Sequence, residues 1–171
     1  MQKANSLGGK WWNAVFFLTA ALVIVADQLS KLWIRSNLLV GQSLFEAGFF
    51  QITHIHNTGA AFGLFRGYSF VLTVVASVSI AVLLFYVLFI CRRFPRLDSK
   101  LSRVTLSLIL GGSIGNLIDR IRFGYVIDFI GIGIWPTFNL ADSSVTVGAI
   151  VFAYSLFRLL RVEKHWDGQG I

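Results

Sequence analysis

The chain has 171 residues, of which 56% are apolar, 15% aromatic and only 13% charged, and its mean hydropathy is +0.72. Soluble domains carry about 25% charged residues, so this composition excludes a water-soluble globule and a disordered chain and indicates a membrane protein. The single cysteine cannot form an internal disulfide, and one cysteine with three histidines leaves few ligands for a zinc site.

Four apolar segments are each long enough to cross a bilayer, whose hydrocarbon core requires about 20 helical residues. The first follows Lys3 and Lys10, and we interpret it as a retained helix because it is long and lacks the small-residue cleavage site of a signal peptide. We therefore predict an all-α membrane protein with one integral-membrane domain. The predicted spans are residues 11–33, 68–90, 104–121 and 141–160.

Lysine and arginine are distributed unevenly along the chain. Ten of the 15 lie in the N-terminal segment, the loop between the second and third spans, and the C-terminal tail. Because basic residues accumulate on the cytoplasmic side of a membrane, both termini are predicted to be cytoplasmic. The net charge of +7 is therefore a topology signal, and no nucleic-acid partner is expected.

Acidic residues are concentrated at the opposite, outer ends of the spans. A carboxylate at the edge of the hydrocarbon is costly and faces protein or water, which makes each one a functional candidate. Of the outer connections, 34–67 contains a short run that predicts a small strand or hairpin on the membrane surface, and 123–138 contains one that predicts extended chain. The outer carboxylates are Asp27, Glu46, Asp119, Asp128 and Asp142.

Asp128 and Asp142 are the strongest candidates for catalysis, because the third and fourth spans bring both to the same level of the membrane. Two close carboxyl groups share a proton, so one can activate water while the other protonates a leaving group. Asn139 is predicted to cap the fourth span, and a plain capping motif is the alternative role of Asn139 and Asp142. We expect Asp142, in the first helical turn, to ionise more readily and Asp128 to be the acid in the resting enzyme.

Two further patterns place polar side chains on helix faces. Asp27 and Lys31 are four residues apart and can pair on one face of the first span, with a purely structural ion pair as the alternative. Gly112, Asn116 and Arg120 recur at the same spacing and form a polar stripe that leads outward along the third span. The alternative is a hydrogen-bond ladder between helices.

Three other motifs give weaker evidence of function. Gly111 and Gly115 form a G-x-x-x-G pair that favours close helix packing. Ser113 between them completes the G-x-S-x-G pattern of serine hydrolases, but that motif requires a strand-to-helix turn and this segment is predicted to be helical. His54 and His56 face the same way in an extended chain and could begin a metal site, although no third ligand is near them in the sequence.

The segment N-T-G-A-A-F-G at residues 57–63 precedes the second span. Asn57 offers an amide side chain, and Gly59 permits close approach of the backbone. The alternative interpretation is a simple turn.

Taken together, these segments resemble the lipoprotein signal peptidase family, also called signal peptidase II. The resemblance covers nearly the whole chain, and its motifs occur in the family's order. They are D-Q-L-S-K at 27–31, N-T-G-A-A-F-G at 57–63, G-G-S-I-G-N-L-I-D-R at 111–120, V-I-D-F at 126–129 and F-N-L-A-D at 138–142.

The resemblance implies an intramembrane aspartyl endopeptidase that removes signal peptides from diacylglyceryl-modified prolipoproteins by cleaving before the lipidated cysteine. It implies no metal and no cofactor, and a catalytic pair formed by Asp128 and Asp142. The implied fold has four transmembrane helices with a small β-cradle and a short surface helix on the outer side. The implied substrate-binding and support residues are Asp27, Lys31, Asn57, Gly59, Asn116, Arg120 and Asn139.

The family is found in the bacterial inner membrane, so we expect a multi-pass protein whose active site lies near the outer face. Its expected partners are lipid-modified prolipoproteins and membrane lipids, and we expect a monomer. Two rivals belong to other classes: a proton- or cation-coupled transporter with a relay of carboxylates, and a membrane assembly factor without enzymatic activity that uses the glycine-rich helix. A relay would spread carboxylates through the membrane depth, whereas here they cluster at one face.

Overall fold

The computed structural model of the chain describes residues 2–60, 64–90, 93 and 99–167, which form four long helices and one small sheet. Three residues of the N-T-G-A-A-F-G segment, 61–63, lie outside the described residues, as do Arg92 and Arg96 of the basic loop. The helices are α1 (Gln2–Asn37), α2 (Ser69–Phe85, continued by a π-helical turn over Tyr86–Ile90), α3 (Lys100–Phe123) and α4 (Leu140–Asp167). The strands are β1 (Ser43–Ala47), β2 (Phe50–Asn57) and β3 (Val126–Ile132).

Each helix contains a stretch that is long and apolar enough to cross a membrane, so the prediction of four helices suited to span a bilayer is confirmed. The observed bounds of α1, α3 and α4 are wider than hydropathy indicates, because a helix continues through polar residues until its hydrogen bonds are interrupted. Thus α1 continues to Asn37, and α3 begins after Ser99, whose hydroxyl accepts a hydrogen bond from the Ser102 amide. The left-handed residue Gly124, at a φ of 78°, ends α3.

The central helix of the bundle is α3, which packs against each of the other three helices. Its glycines make the close contacts: a Cβ added at Gly111 would lie 2.7 Å from the Ala20 carbonyl oxygen of α1. A Cβ added at Gly112 would overlap the Ala141 carbonyl oxygen of α4. The packing role predicted for Gly111 is therefore confirmed, since any side chain there would push the helices apart.

The apolar core of the bundle lies away from the sheet and is formed by Phe16, Ala20, Val87, Leu106 and Leu110. By contrast, none of the side chains of residues 69–85 in α2 is buried. Because this helix carries no charged residue and is mostly apolar, its exposed surface is suited to contact lipid rather than water.

The sheet is antiparallel with the order β1-β2-β3, so the predicted hairpin and extended chain are present. In the register of β2 with β3, Ile55 lies opposite Asp128. An apolar cluster of Ile34, Leu38, Ile127 and Phe129 packs the sheet onto the end of α1. The surface helix stays a prediction, because the described residues 64–67 form a turn and 61–63 are not described.

Candidate active site

Asp128 lies near the start of β3, where its side chain is only 2% exposed. The side-chain amide of Asn57 donates a hydrogen bond to its Oδ2 at 2.9 Å, and that of Asn139 donates to its Oδ1 at 2.7 Å. Burial, followed by the nearby Asp142 carboxylate, raises the pKa of Asp128 to about 7, although the two amide donors act in the opposite direction. Asp128 is therefore suited to hold a proton near neutral pH.

Asp142 lies in the first turn of α4 and is partly exposed. The side-chain oxygen of Asn139 accepts a hydrogen bond from the backbone amide of Asp142 at 2.9 Å. The carboxylate of Asp142 accepts one from the backbone amide of Asn139 at 3.3 Å. This reciprocal pair is a capping box, so the predicted cap at Asn139 is confirmed. A further donor, the Asn116 side-chain amide, lies 2.7 Å from Oδ1 of Asp142.

Asn139 is fully buried and forms hydrogen bonds with both carboxyl groups. Its side-chain nitrogen donates to Asp128, and its backbone nitrogen donates to Asp142. Because a single residue bonds to both, Asp128 and Asp142 belong to one polar centre. One carboxyl group of the centre is buried and the other is accessible, an arrangement that can divide acid and base roles.

Lys31 supports this centre from α1, with its ammonium group buried. Its three donors are all used: Nζ lies 2.8 Å from Oδ2 of Asp27, 2.9 Å from Oδ2 of Asp119 and 2.8 Å from Oδ1 of Asn116. The predicted pairing of Lys31 with Asp27 is therefore confirmed. The same lysine also joins α1 to the polar stripe of α3.

Asp27 connects α1 to the start of α4. Its Oδ1 accepts a hydrogen bond from the Ala141 amide at 3.0 Å, and amides in the first turn of a helix have no partner within the helix. Gly115 makes this approach possible, because a Cβ at that position would lie 2.6 Å from Oδ2 of Asp27. The carboxylate thus helps to place the turn of α4 that carries Asp142.

Sequence reasoning did not assign Asp119 and Gln28 to the site. Oδ2 of Asp119 accepts from the Ile127 amide at 3.1 Å, so it holds the backbone of β3 one residue before Asp128. The Gln28 side-chain amide donates to Oδ1 of Asp119 at 3.0 Å. The signal for Asp119 was its place three residues after Asn116 at the outer end of a span, whereas Gln28 carried no distinctive signal.

Arg120 and Gly59 lie at the edge of the site rather than on the two carboxylates. The Arg120 guanidinium donates to the Gly59 carbonyl oxygen at 3.3 Å, and the Gly59 amide donates to Oδ1 of Asn57 at 2.9 Å. A Cβ at Gly59 would lie 2.6 Å from the Leu64 carbonyl oxygen, so this turn requires glycine. These contacts hold the amide of Asn57 toward Asp128. All nine predicted site residues therefore belong to one connected network.

The two weaker motifs lie elsewhere. Ser113 is in the interior of α3 and not at a strand-to-helix turn, so it lacks the setting of a hydrolase nucleophile. The His54 and His56 rings are 4.9 Å apart and line a cavity with Ile127. Because neighbouring residues of a strand point to opposite faces, this cavity is on the other face of β3 from Asp128. Among the side chains that the structure describes, no group of three or more His, Cys, Asp or Glu could hold a metal ion.

Comparison with known proteins gives consistent matches. Residues 19–158 match the family model described as Signal peptidase (SPase) II. The chain is 50% identical over 154 residues to a lipoprotein signal peptidase of Dehalococcoides mccartyi (strain CBDB1), covering 90% of this chain and 93% of the relative. It is 45% identical over 142 residues to a lipoprotein signal peptidase of Moorella thermoacetica, covering 82% and 91%.

The fold is similar to two solved structures of bacterial membrane enzymes obtained by the in meso method. The one at 2.3 Å resolution has a TM-score of 0.76 at 30% identity and covers 85% of this chain and 88% of its own. The one at 1.9 Å has a TM-score of 0.72 at 30% identity and covers 84% and 92%. With four helices suited to crossing a membrane, the chain is a multi-pass membrane protein that belongs to the signal peptidase II family of proteases.

Proposed function

We propose that the chain is an intramembrane aspartyl endopeptidase, with Asp128 and Asp142 as its catalytic pair. The observation that carries the proposal is the position of Asn139, which donates hydrogen bonds to both carboxyl groups. The proposed substrates are diacylglyceryl-modified prolipoproteins, cut at the peptide bond before the lipidated cysteine. The names of the curated relatives support this substrate class.

The two carboxyl groups supply both proton transfers of peptide hydrolysis. Asp142, partly exposed, takes a proton from water while the water oxygen bonds to the scissile carbonyl carbon. Asp128 donates a hydrogen bond to the resulting oxyanion and then gives its proton to the departing amine as the carbon–nitrogen bond breaks. The pair ends the cycle with one proton, now on Asp142, and transfer of that proton to Asp128 restores the starting state. No step requires a metal ion or a cofactor.

The remaining polar residues act by positioning the pair. Lys31, Asp27 and Asp119 hold α1, α3 and the first residues of β3 and α4 in place. Asn116 and Asn57 fix one oxygen of each catalytic carboxyl group. Preorganised donors of this kind remove the cost of reorienting dipoles during the reaction.

We further propose that the protein is a monomer of the bacterial inner membrane with both termini in the cytoplasm. Asp27 and Asp119 lie near the ends of α1 and α3 and Asp142 near the start of α4, so one end of the bundle carries the site together with the sheet. The excess of basic residues toward the opposite end supports a position of the site at the outer face. A lipid-anchored substrate would present its cleavage bond at this boundary.

The transporter is a weaker candidate. Asp27, Asp119, Asp128 and Asp142 lie in or beside one network at one end of the bundle, whereas a relay needs titratable groups across the membrane. The assembly factor does not account for two carboxyl groups, one of them buried, that bind the same residue.

Cleavage of a lipid-modified signal-peptide substrate by the detergent-purified protein tests the function directly. We expect one cut, producing a fragment that begins with the lipidated cysteine, and no cut in the same peptide without its lipid. Addition of a metal chelator should leave the rate unchanged, as measured by mass spectrometry of the products. Cleavage that depends on metal would contradict the carboxyl mechanism and favour His54 and His56 as metal ligands.

The pH dependence of kcat/KM should report the proton on Asp128, because kcat/KM follows the titration of the free enzyme. Because the pKa of Asp128 is raised to about 7, the acid is present below that pH and is lost as pH rises through it. We expect kcat/KM to fall about tenfold per pH unit on the alkaline side. Removing the Asn57 amide with Asn57→Ala should move this alkaline limb to higher pH, since that donor stabilises ionised Asp128.

Glu46→Gln is the matched control for this profile. Glu46 is an exposed carboxylate on β1, and its loss should leave the alkaline limb in place. If Asn57→Ala leaves the alkaline fall in rate at the same pH, or moves it to lower pH, Asp128 is not the acid.

A further inference from the structure

The pairing of β2 with β3 ends beside the catalytic pair. Asn57 and Val126 form the last pair of this ladder. The end of a strand pair opens more readily than its middle, because the terminal residues have neighbours on one side only. The side-chain amide of Asn57 is nevertheless held 2.9 Å from Oδ2 of Asp128. A contact that fixes this end of the ladder would therefore also fix a hydrogen-bond donor of Asp128.

An aromatic stack provides such a contact. The centroids of the His56 and Tyr125 rings are 3.7 Å apart, and the rings are inclined by 20°. His56 lies opposite Ile127 in the register, so Tyr125 is its diagonal neighbour, two residues from the direct partner. Diagonal neighbours on one face of a strand pair are within reach of aromatic side chains. The stack thus joins the end of β2 to the residue that precedes β3.

The stack continues from Tyr125 to the two helices that end at the sheet. The Tyr125 and Phe123 rings are also stacked, with centroids 5.8 Å apart and an inclination of 25°. The guanidinium carbon of Arg35, on α1, lies 5.1 Å from the centroid of the Phe123 ring. A cation over a ring face is attracted by the quadrupole of the ring. His56 is therefore connected through two rings to the ends of α3 and α1.

His56 and Asn57 point to opposite faces of the same strand. Neighbouring residues of a strand alternate in direction, so His56 lines the cavity behind the sheet while Asn57 contacts Asp128. A movement of the strand end that separates the stacked rings would also displace the Asn57 amide. The peptide hydrolysis proposed above uses neither His56 nor Tyr125.

We propose that His56 is a positioning residue for the catalytic pair, whose stack on Tyr125 holds the end of β2 so that the Asn57 amide stays on Asp128. The catalytic part of this inference rests on the proposed function, in which Asp128 is the acid. Stacked aromatic pairs contribute up to about tenfold to an equilibrium constant beyond the area that they bury. A contribution of this size is enough to change how completely one hydrogen bond is formed.

The contribution of His56 comes from packing and not from charge. Burial, followed by the interaction with His54, lowers the pKa of His56, so its ring is neutral at neutral and alkaline pH. The other charged or titratable side chains on this face are Arg35, His54 and Tyr125, and none of the described residues that line the cavity is a carboxylate. An uncharged residue in place of His56 therefore leaves the charge near Asp128 unaltered.

Titration of Asp128 in the substrate-free protein tests the proposal. It can be followed by ¹³C NMR of protein labelled at its aspartate carboxyl groups, with Asp128→Asn to identify the signal. His56→Ala should raise the midpoint by about 0.5–1 pH unit, because the Asn57 donor, which stabilises ionised Asp128, is then less often in place. His56→Leu fills the space without a ring face and should give the same shift. The alkaline limb of kcat/KM should move with the midpoint in both variants.

Three further variants show whether the ring stack is the cause. His56→Phe keeps a ring that can stack on Tyr125, so it should leave the midpoint within about 0.2 pH unit of that of the unaltered protein. Phe45→Ala is the matched control, because it removes an aromatic ring that lies 6.3 Å from Phe50 elsewhere in the sheet, and it should have no effect. In the Asn57→Ala background His56→Ala should add no shift, since the donor that it positions is already absent.

An unchanged midpoint in His56→Ala and His56→Leu would overturn the proposal. An equal shift in His56→Phe or Phe45→Ala, or a further shift on top of Asn57→Ala, would also overturn it. The titration needs no substrate, so its result is separate from that of the cleavage assay. A shifted midpoint in a protein that cuts no peptide would count against the proposed function only, whereas cleavage with an unmoved midpoint would count against the positioning role only.

Discussion

Replacement of Asp128 or Asp142 by asparagine is expected to lower kcat about 10³-fold or more while the protein stays folded. Each change removes a proton donor or acceptor from a pair that works as a unit, so either one should stop the reaction. Asparagine has nearly the same shape, and like the protonated carboxyl group of Asp128 it places no charge in the buried site. Single-turnover cleavage of a lipidated substrate measures the loss, and thermal unfolding in detergent checks the fold.

The double variant distinguishes a catalytic pair from two independent sites. If Asp128 and Asp142 act together, the double variant should be about as slow as either single variant rather than slower by the product. Glu46→Gln, an exposed carboxylate on β1, should keep full activity. Activity within tenfold of the unaltered protein in either single variant would contradict the aspartyl mechanism.

Lys31→Met should destabilise the protein by about 3–5 kcal/mol, the usual cost of removing one partner from a buried ion pair. The Lys31 side chain is 2% exposed, and its ammonium group is the cation shared by Asp27 and Asp119. Without it two carboxylates remain in a buried site, and Asn116 loses the donor at its oxygen. Unfolding in detergent, followed by the near-ultraviolet signal of the tryptophans, measures the loss of stability.

Neutralising the whole triad tests whether uncompensated charge is the cause. Adding Asp27→Asn and Asp119→Asn to Lys31→Met should recover part of the lost stability, because no buried charge is then left without a partner. Arg66→Met, a change at an exposed basic residue, should alter stability by less than about 0.5 kcal/mol. Stability unchanged by Lys31→Met would mean that this network does not hold the helices together.

Much of the site was predictable because its contacts are short-range. The pairing of Asp27 with Lys31 follows from a four-residue spacing on a helix, and the capping box of Asn139 and Asp142 from a three-residue spacing at a helix start. Both patterns depend on local helix geometry. The likeness of the motifs to a known family then indicated which other polar residues to include.

Other partners could not be chosen from spacing alone. Lys31 could have paired with Asp27 only, yet it also binds Asp119 and Asn116, which lie on another helix. The Ala141 amide finds Asp27 because Gly115 leaves room for the carboxylate between α1, α3 and α4. Such choices depend on how each helix is rotated about its axis and on how closely small residues let the helices pack.

The amino-acid pattern by itself determined the four apolar spans, the extended outer segments and the candidate pair of carboxyl groups, because hydropathy and residue period are local properties. The tertiary structure decided that Asp128 is buried while Asp142 is partly exposed, and that Asn139 touches both. It also placed His54 in a cavity on the opposite face of the sheet. The physical reason is that burial and long-range hydrogen bonds exist only after separate segments have packed together.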